Sequence, residues 1–131
     1  MTSKARAVEL TKLNIFAVFG EKDVQQRLKN ITETWVPSDE VFFVDAMGVF
    51  KSHEAISNLV GQIQGLGGPT DEFVELSEVE ALTHDDKDDV WVTRMRWGVG
   101  PPNGDPVLTG WDVLTIVGGK IKACYTFLES K

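Results

Sequence analysis

Two aspartates interrupt apolar, strand-like stretches of this 131-residue chain. Asp45 stands in VFFVDAMG, residues 41–48, and Asp112 stands in LTGWDVLTI, residues 108–116. An ionised carboxylate resists burial unless it is paired, and burial raises its pKa. A carboxyl group with a raised pKa can act as a base, or can donate a hydrogen bond as a neutral acid, near neutral pH. The two residues are therefore candidates for proton-transfer chemistry.

Both acids also have a purely structural interpretation. Asp45 can cap the end of its strand before a turn at Gly48, as aspartates often do. Asp112 can accept a hydrogen bond from a neighbouring backbone group. The residues alone leave both interpretations open for each acid.

Large apolar side chains could line a substrate cavity between a sheet and the helices that cover it. The same residues could equally be ordinary core. The candidates for substrate contact are Phe16, Trp35, Met47, Trp91, Met95, Trp97, Leu114, Cys124 and Thr126.

Three amphipathic segments predict helices. The first carries apolar residues from Val8 to Phe19 and stops at Gly20. The second, DVQQRLKNITETWVP, closes at Pro37, and the third, HEAISNLVGQIQ, has Ser52 as a possible N-cap and ends at GLGGP.

The remainder of the chain predicts strands. FVELSEVEAL, DVWVTRMRW, PVLTGWDVLTIV and KIKACYTFL are joined by short turn-forming segments, which indicates an antiparallel meander. Alternation places Asp112 on one strand face with Leu108 and Leu114. The opposite sheet face, with residues such as Tyr125 and Phe127, is still apolar enough to need cover.

We therefore expect a homodimer that forms through this outer face of the sheet. Arg94 and Arg96 lie on the same face and are expected to pair with acidic residues across the interface.

The overall composition narrows the class of protein. A net charge of −7 and a pI near 4.7 argue against nucleic-acid or anionic-membrane partners. No apolar run approaches a membrane span, and the N-terminus lacks the apolar core of a signal peptide. The single cysteine, Cys124, fits a reducing compartment, so we expect one cytoplasmic domain over residues 1–131.

No metal or cofactor is expected. HDDKDD, residues 84–89, has the charge of a cation-binding loop but lacks the spacing of an EF-hand. His53 and His84 have no ligand partner at a useful spacing.

Three short blocks resemble the nuclear-transport-factor-like superfamily in their order and spacing. They are VDAMG followed by SHEAI, then IQGLGG, then GWDVLTIVGGKI. The superfamily includes SnoaL-like polyketide cyclases, scytalone dehydratase, limonene epoxide hydrolase and ketosteroid isomerase. The resemblance implies an α+β fold, a cone-shaped barrel in which a curved, mostly antiparallel sheet wraps around three N-terminal helices. An internal pocket is part of that fold.

The resemblance to ketosteroid isomerases implies roles for the two acids. Asp45 matches the general base, and Asp112 matches the protonated donor of the oxyanion hole. The implied function is cofactor-free isomerisation, cyclisation or dehydration of an apolar, polyketide-, terpenoid- or steroid-like substrate.

The chain departs from these relatives in one important position. The isomerases add a first-helix tyrosine to the oxyanion hole, whereas that region here holds Ile15, Phe16 and Phe19. Its only tyrosine, Tyr125, belongs to the last strand. A non-catalytic ligand-binding or dimerisation module of the same fold is therefore the main alternative.

Epoxide hydrolysis is a third hypothesis for the function, and it is disfavoured. It needs an Asp–Arg–Asp set that activates water, and the matching strands offer Arg94, Arg96 and Thr126 instead.

Overall fold

The computed structural model describes residues 1–83 and 87–129, so His84 and the start of the acidic turn lie outside the described residues. The helices are α1 (Lys4–Leu13), α2 (Val24–Thr34) and α3 (His53–Leu66), with a π-helical turn at Asn14–Phe19 and a 3-10 turn at Ser38–Glu40. The strands are β1 (Phe42–Asp45), β2 (Gly48–Phe50), β3 (Glu72–Glu75), β4 (Glu80–Leu82), β5 (Val90–Gly100), β6 (Leu108–Val117) and β7 (Lys120–Leu128).

The seven strands form one open sheet in the order β2–β1–β7–β6–β5–β3, and β4 also pairs with β5. All neighbours are antiparallel except β1 and β7, which run parallel. The predicted meander is confirmed for β5, β6 and β7. The segment FVELSEVEAL divides into β3 and β4. At the break between these strands the Ser77 hydroxyl accepts a hydrogen bond from the Arg96 backbone N–H.

Side-chain caps fix where the helices begin. Ser3, Asp23 and Ser52 each accept a hydrogen bond from the backbone N–H three residues later. The predicted cap of α3 is thus confirmed, and α3 ends immediately before Gly67. No helix within the described residues is both long enough and apolar enough to cross a membrane.

The helices pack on the concave face of the sheet, and the expected α+β architecture is confirmed. Alternation correctly predicts which strand residues point inward. The fully buried or nearly buried members of β5, β6 and β7 include Thr93, Met95, Trp97, Asp112, Leu114 and Cys124.

A π-helical turn continues α1 and shapes one wall of the interior. The Gly20 N–H donates to the carbonyl of Ile15, five residues earlier, at 2.8 Å. A Cβ at position 20 would lie 2.7 Å from the Phe16 carbonyl oxygen, so the turn requires glycine there. Extra residues in a helical turn shift side-chain directions, and here Asn14 is fully buried while Phe16 remains partly exposed.

The outer face of the sheet carries the predicted arginines, but their partners differ from the expectation. Arg94 pairs with Glu80 at 2.6 Å and Arg96 pairs with Glu129 at 2.9 Å, both within the chain. Phe127 is 61% exposed on this face. The second subunit that would cover the face stays a prediction.

Candidate functional site

A cavity of about 780 Å³ opens between the helices and the concave face of the sheet. Its walls come from the π-helical turn, the turn between β1 and β2, the end of α3, and β3, β5, β6 and β7. The lining is mostly apolar, and both Asp45 and Asp112 reach it. This combination of an apolar hollow with a few polar groups is typical of small-molecule sites.

Strand register brings the two acids together although they are far apart in the sequence. Val44 on β1 is opposite Tyr125 on β7, so the next residue, Asp45, comes level with Thr126. Thr126 in turn is opposite Asp112 on β6. The three side chains therefore form a row across β1, β7 and β6, with the backbones of the outer two strands about 10 Å apart.

Asp112 is the buried member of this row, with 2% of its surface exposed. Its Oδ1 accepts hydrogen bonds from Trp97 Nε1 at 3.0 Å and from Thr126 Oγ1 at 2.8 Å. Every fully buried side-chain N or O among the described residues has a partner. Because Oδ2 has none, we infer that it keeps contact with the cavity.

Burial raises the pKa of Asp112 to about 6. The hydrogen bonds from Thr126 and Trp97 oppose this shift, because they stabilise the carboxylate, while the negative charge of Asp45 adds to it. Asp112 can therefore change its protonation state near neutral pH, unlike an ordinary surface aspartate.

The hydrogen bonds also decide where the proton of neutral Asp112 resides. An indole N–H can only donate, so Trp97 requires an acceptor at Oδ1. Because the carbonyl oxygen of a neutral carboxyl group is a better acceptor than its hydroxyl oxygen, the two bonds at Oδ1 favour the proton on Oδ2, the oxygen that faces the cavity. In its neutral form Asp112 thus offers a hydrogen-bond donor to whatever occupies the cavity.

Gly110 makes room for the indole that holds Asp112. Gly110 is directly opposite Trp97 in the pairing of β6 with β5. A Cβ at this position would lie 2.7 Å from Cζ2 of the Trp97 ring. Only glycine therefore allows the indole to lie over β6 with its N–H directed at Asp112.

Asp45 is at the end of β1 and is half-buried. Its Oδ1 accepts a hydrogen bond from the Met47 backbone N–H at 2.7 Å, which confirms the predicted capping of the strand end. The side chain also lines the cavity. The structural and functional interpretations of Asp45 are therefore compatible, because the turn bond orients the carboxylate and leaves its other oxygen free of that bond.

A second cluster of buried polar side chains lies next to the row of Asp45, Thr126 and Asp112. Trp35 Nε1 donates to Asn14 Oδ1 at 3.0 Å, and the Asn14 amide approaches Cys124 Sγ at 3.9 Å. Cys124 Sγ is in turn 3.8 Å from Thr126 Oγ1. Burial raises the pKa of the Cys124 thiol well above its usual value, which keeps it protonated and unsuited to nucleophilic attack.

Six of the eleven sequence-predicted site residues line the cavity. They are Asp45, Asp112, Phe16, Met47, Trp97 and Thr126. Their part in substrate binding or catalysis stays a prediction.

The other five lie away from the cavity wall. They are Trp35, Trp91, Met95, Leu114 and Cys124. Leu114 and Cys124 face inward but come two residues beyond Asp112 and before Thr126, in the half of the interior that helices fill. Met95 packs against Ile15 in the core. The Trp91 indole lies beside the N-terminal residues of the chain, where its N–H donates a hydrogen bond to the Thr2 carbonyl.

Several lining residues were not predicted. Leu108 and Leu128 share the inward faces of Asp112 and Thr126, so alternation could have identified them. Phe73 packs against Trp97 with the rings tilted at 59° and their centroids 5.7 Å apart, a contact between distant segments that leaves no local pattern. The loop residues Lys22 and Asp71, and Glu72 at the start of β3, likewise have no sequence signal that places them at the cavity.

Residues 1–83 and 87–129 contain no cluster of three or more His, Cys, Asp or Glu side chains suited to a metal ion. His53 begins α3, as predicted, and its Nε2 is 2.8 Å from the Val36 carbonyl oxygen. The polar side chains at the cavity are four carboxylates together with Lys22, Gln64 and Thr126.

Replacing Thr126 with valine is expected to raise the pKa of Asp112 above 6, because the variant loses the hydrogen bond that stabilises the carboxylate. Carboxyl carbon NMR titration measures this directly. Thr115→Val, on the outer face of β6, is the matched control and should leave the titration of Asp112 unchanged. An unchanged or lowered pKa in Thr126→Val would contradict the role assigned to this bond.

Comparison with other proteins shows that this chain is similar to known proteins in its structure. No protein-family model matches the chain. No curated protein sequence is significantly similar to it.

Solved structures, by contrast, superpose over nearly the whole chain. A candidate isomerase of the SnoaL-like family from Agrobacterium tumefaciens str. C58 gives a TM-score of 0.77 at 20% identity, over 96% of this chain and 99% of that one. A nuclear transport factor 2-like superfamily protein from Salmonella enterica serovar Typhimurium str. LT2 gives 0.73 at 14% identity, over 98% and 92%. A candidate SnoaL-like polyketide cyclase from Jannaschia sp. CCS1 gives 0.65 at 15% identity, over 98% and 90%.

Structural similarity at sequence identities this low establishes the fold of the chain and leaves its activity open. The resemblance read from the three sequence blocks is confirmed at that level. The chain has the fold of the nuclear-transport-factor-like superfamily, which it shares with SnoaL-like proteins.

Proposed function

We propose that the protein is a cofactor-free acid–base catalyst that moves a proton on carbon in an apolar carbonyl compound. The observation that carries this proposal is the row formed by Asp45, Thr126 and Asp112 at one apolar cavity. Two carboxyl groups in unlike environments can hold different protonation states at the same pH. Asp45 is the general base, and Asp112 is the acid or hydrogen-bond donor.

The chemistry follows from these two positions. The Asp45 carboxylate takes a proton from the carbon next to the carbonyl group, and the electron pair of that C–H bond moves towards the carbonyl oxygen. The Oδ2 proton of Asp112 stabilises the negative charge that develops there. Return of the proton at another carbon gives isomerisation, attack of the enolate on a second carbonyl gives cyclisation, and loss of a β-hydroxyl group gives dehydration.

The surroundings of the site favour this chemistry. Phe16, Phe73 and Trp97 give the cavity apolar walls, against which an apolar substrate displaces water. A ligand that displaces the remaining water adds to the burial of Asp112, which favours its neutral, donating form. The names given to two of the similar structures, isomerase and polyketide cyclase, belong to the same class of proton chemistry.

Among the described residues that line the cavity, we assign one donor, neutral Asp112, to the oxyanion. Phe16, at the first-helix wall of the cavity, brings no hydroxyl group, and the Thr126 hydroxyl is already bonded to Asp112. Absence of one oxyanion donor typically costs about 100- to 1,000-fold in rate. We therefore expect turnover to be slower than in a catalyst with two donors.

The proposal can be tested without knowing the physiological substrate, because all three reactions begin with removal of a proton next to a carbonyl group. 2-Tetralone, an apolar bicyclic ketone, exchanges these protons with solvent deuterium, and proton NMR follows the exchange. We expect the protein to accelerate the exchange with saturation in 2-tetralone. A protein that binds 2-tetralone and leaves its exchange at the buffer rate would overturn the proposal.

A non-catalytic ligand-binding module is the second candidate. It is favoured by the turn bond of Asp45 to the Met47 N–H, which gives this carboxylate a structural reason to be present. The exchange assay separates the two candidates, since a binding module would bind the ketone and produce no exchange.

A further inference from the structure

The mouth of the cavity is acidic. Asp71, which is half-buried, and Glu72, which is exposed, line it, and Lys22 is the one cation among the described lining residues. Asp45 adds a further negative charge at the level of Thr126. The Lys22 ammonium group is partly engaged, because it donates to the Pro69 carbonyl at 2.6 Å. Negative charge therefore exceeds positive charge where a ligand enters.

Elsewhere in the cavity lining, the polar side chains already form hydrogen bonds within the protein. The Gln64 amide donates to two backbone carbonyls, and its oxygen accepts from Arg27 at 3.2 Å. The Thr126 hydroxyl donates to Asp112. The remaining group, Asp112, can donate when neutral and adds a further negative charge when ionised. The described lining thus holds no inner cation that could pair with a ligand anion.

We infer that this cavity selects its ligand by charge, so that uncharged or cationic apolar molecules bind and anionic molecules of the same shape are rejected. The inference deepens the proposed function, on which it rests for the identity of the substrate site. It names the substrate class as an apolar carbonyl compound without a carboxylate, phosphate or sulfate group.

The reason is the cost of burying an unpaired charge. A ligand carboxylate inside the cavity loses its hydration and meets the negative charge of Asp45 instead of a partner. A ligand ammonium group can stay at the mouth, near the Asp71 carboxylate, while its apolar body occupies the interior. An uncharged ligand incurs neither repulsion nor unpaired burial.

Three probes with one ring system isolate the effect of charge. They are 2-naphthalenemethanol, which is neutral, 2-naphthoate, which is anionic, and 2-naphthylmethylammonium, which is cationic. Titrations at neutral pH and low salt, followed by naphthalene fluorescence, give the three dissociation constants. We expect 2-naphthoate to bind about tenfold more weakly than the alcohol, and the ammonium compound to bind at least as tightly as the alcohol.

A pair of matched variants locates the source of the discrimination. Asp71→Asn combined with Glu72→Gln removes two charges from the mouth, and the expected result is several-fold tighter binding of 2-naphthoate with unchanged binding of the alcohol. Asp39→Asn combined with Glu40→Gln removes the same two charges from exposed residues that do not line the cavity, and it should alter neither constant.

Equal binding of 2-naphthoate and the alcohol by the unmodified protein would overturn the inference. Unchanged binding of 2-naphthoate in the Asp71→Asn, Glu72→Gln variant would also overturn it, because the charges at the mouth would then not cause the discrimination. These measurements report binding alone, so a failure of the exchange assay with 2-tetralone leaves their outcome readable. Conversely, exchange with no charge preference would reject this inference and leave the proposed function standing.

Discussion

Replacing Asp45 with asparagine is expected to slow the exchange of 2-tetralone about 100- to 10,000-fold, the usual contribution of a general base. Asparagine keeps the size of the side chain, and its amide oxygen can still accept the hydrogen bond from the Met47 N–H. The turn between β1 and β2 should therefore form as before. What the variant loses is the basic oxygen that faces the cavity.

Two further measurements serve as controls for the exchange rate of Asp45→Asn. Asp39→Asn makes the same change of charge on an exposed residue outside the cavity and should exchange 2-tetralone at the unmodified rate. Binding of 2-naphthalenemethanol should persist in Asp45→Asn, since the apolar walls are unchanged. Exchange at the full rate in Asp45→Asn would remove Asp45 from the mechanism.

The second large effect concerns stability at Asp112. The pKa of this group is about 6 in the folded protein against an ordinary 3.8, so the folded state holds its proton more tightly. Between these two pH values the folded state binds more protons than the unfolded state, and stability must fall as the pH rises. Above pH 6 the full cost of burying the charge is present, about 3 kcal/mol for a pKa raised from 3.8 to about 6.

Asp112→Asn should recover this cost, because an amide resembles the neutral acid. Its oxygen can accept the bonds from Trp97 and Thr126, and its NH2 group can face the cavity. At about pH 8 we expect the variant to unfold with a free energy about 3 kcal/mol higher than the unmodified protein, and at about pH 4 we expect the two to be alike.

Urea denaturation at both pH values measures these differences, and Asp39→Asn again provides the control for a lost surface charge. A stability difference that is the same at both pH values would show that the carboxyl group of Asp112 does not titrate as the structure indicates.

The sequence predicted the inward faces of the strands well, because side-chain direction in a strand has a period of two residues. Asp112, Trp97 and Thr126 are therefore where alternation puts them. How far along its strand an inward-facing residue lies decides whether it lines the cavity or joins the filled core, and this position has no such pattern in the sequence. Leu114 and Cys124 share the correct face but come one step too far towards the filled core.

Long-range register was the other property that the sequence did not reveal. The parallel pairing of β1 with β7 sets Asp45 level with Thr126, and nothing in either segment specifies this partner. The family resemblance supplied the pairing of the two acids instead. Loop residues such as Lys22 and Asp71 were unpredictable for a similar reason, since their place at the mouth depends on how the helices sit on the sheet.

The bonds around Asp112 sharpen what the resemblance could only suggest. A resemblance implies that this acid donates a hydrogen bond, whereas the structure gives a reason why the proton faces the cavity. Trp97 and Thr126 both occupy Oδ1, and Gly110 clears the space that Trp97 needs. In the proposed mechanism this donor is preorganised, which is the property that makes electrostatic stabilisation effective.

The pH dependence of kcat/KM for exchange of 2-tetralone tests the central claim most directly, because kcat/KM reports the ionisation of the free protein. If neutral Asp112 is the donor, kcat/KM must fall as the pH rises above about 6, and this fall must vanish in Asp112→Asn, whose amide donates at every pH. A value of kcat/KM that instead rises through pH 6 would show that Asp112 acts as a base, and would contradict the roles assigned here to the two acids.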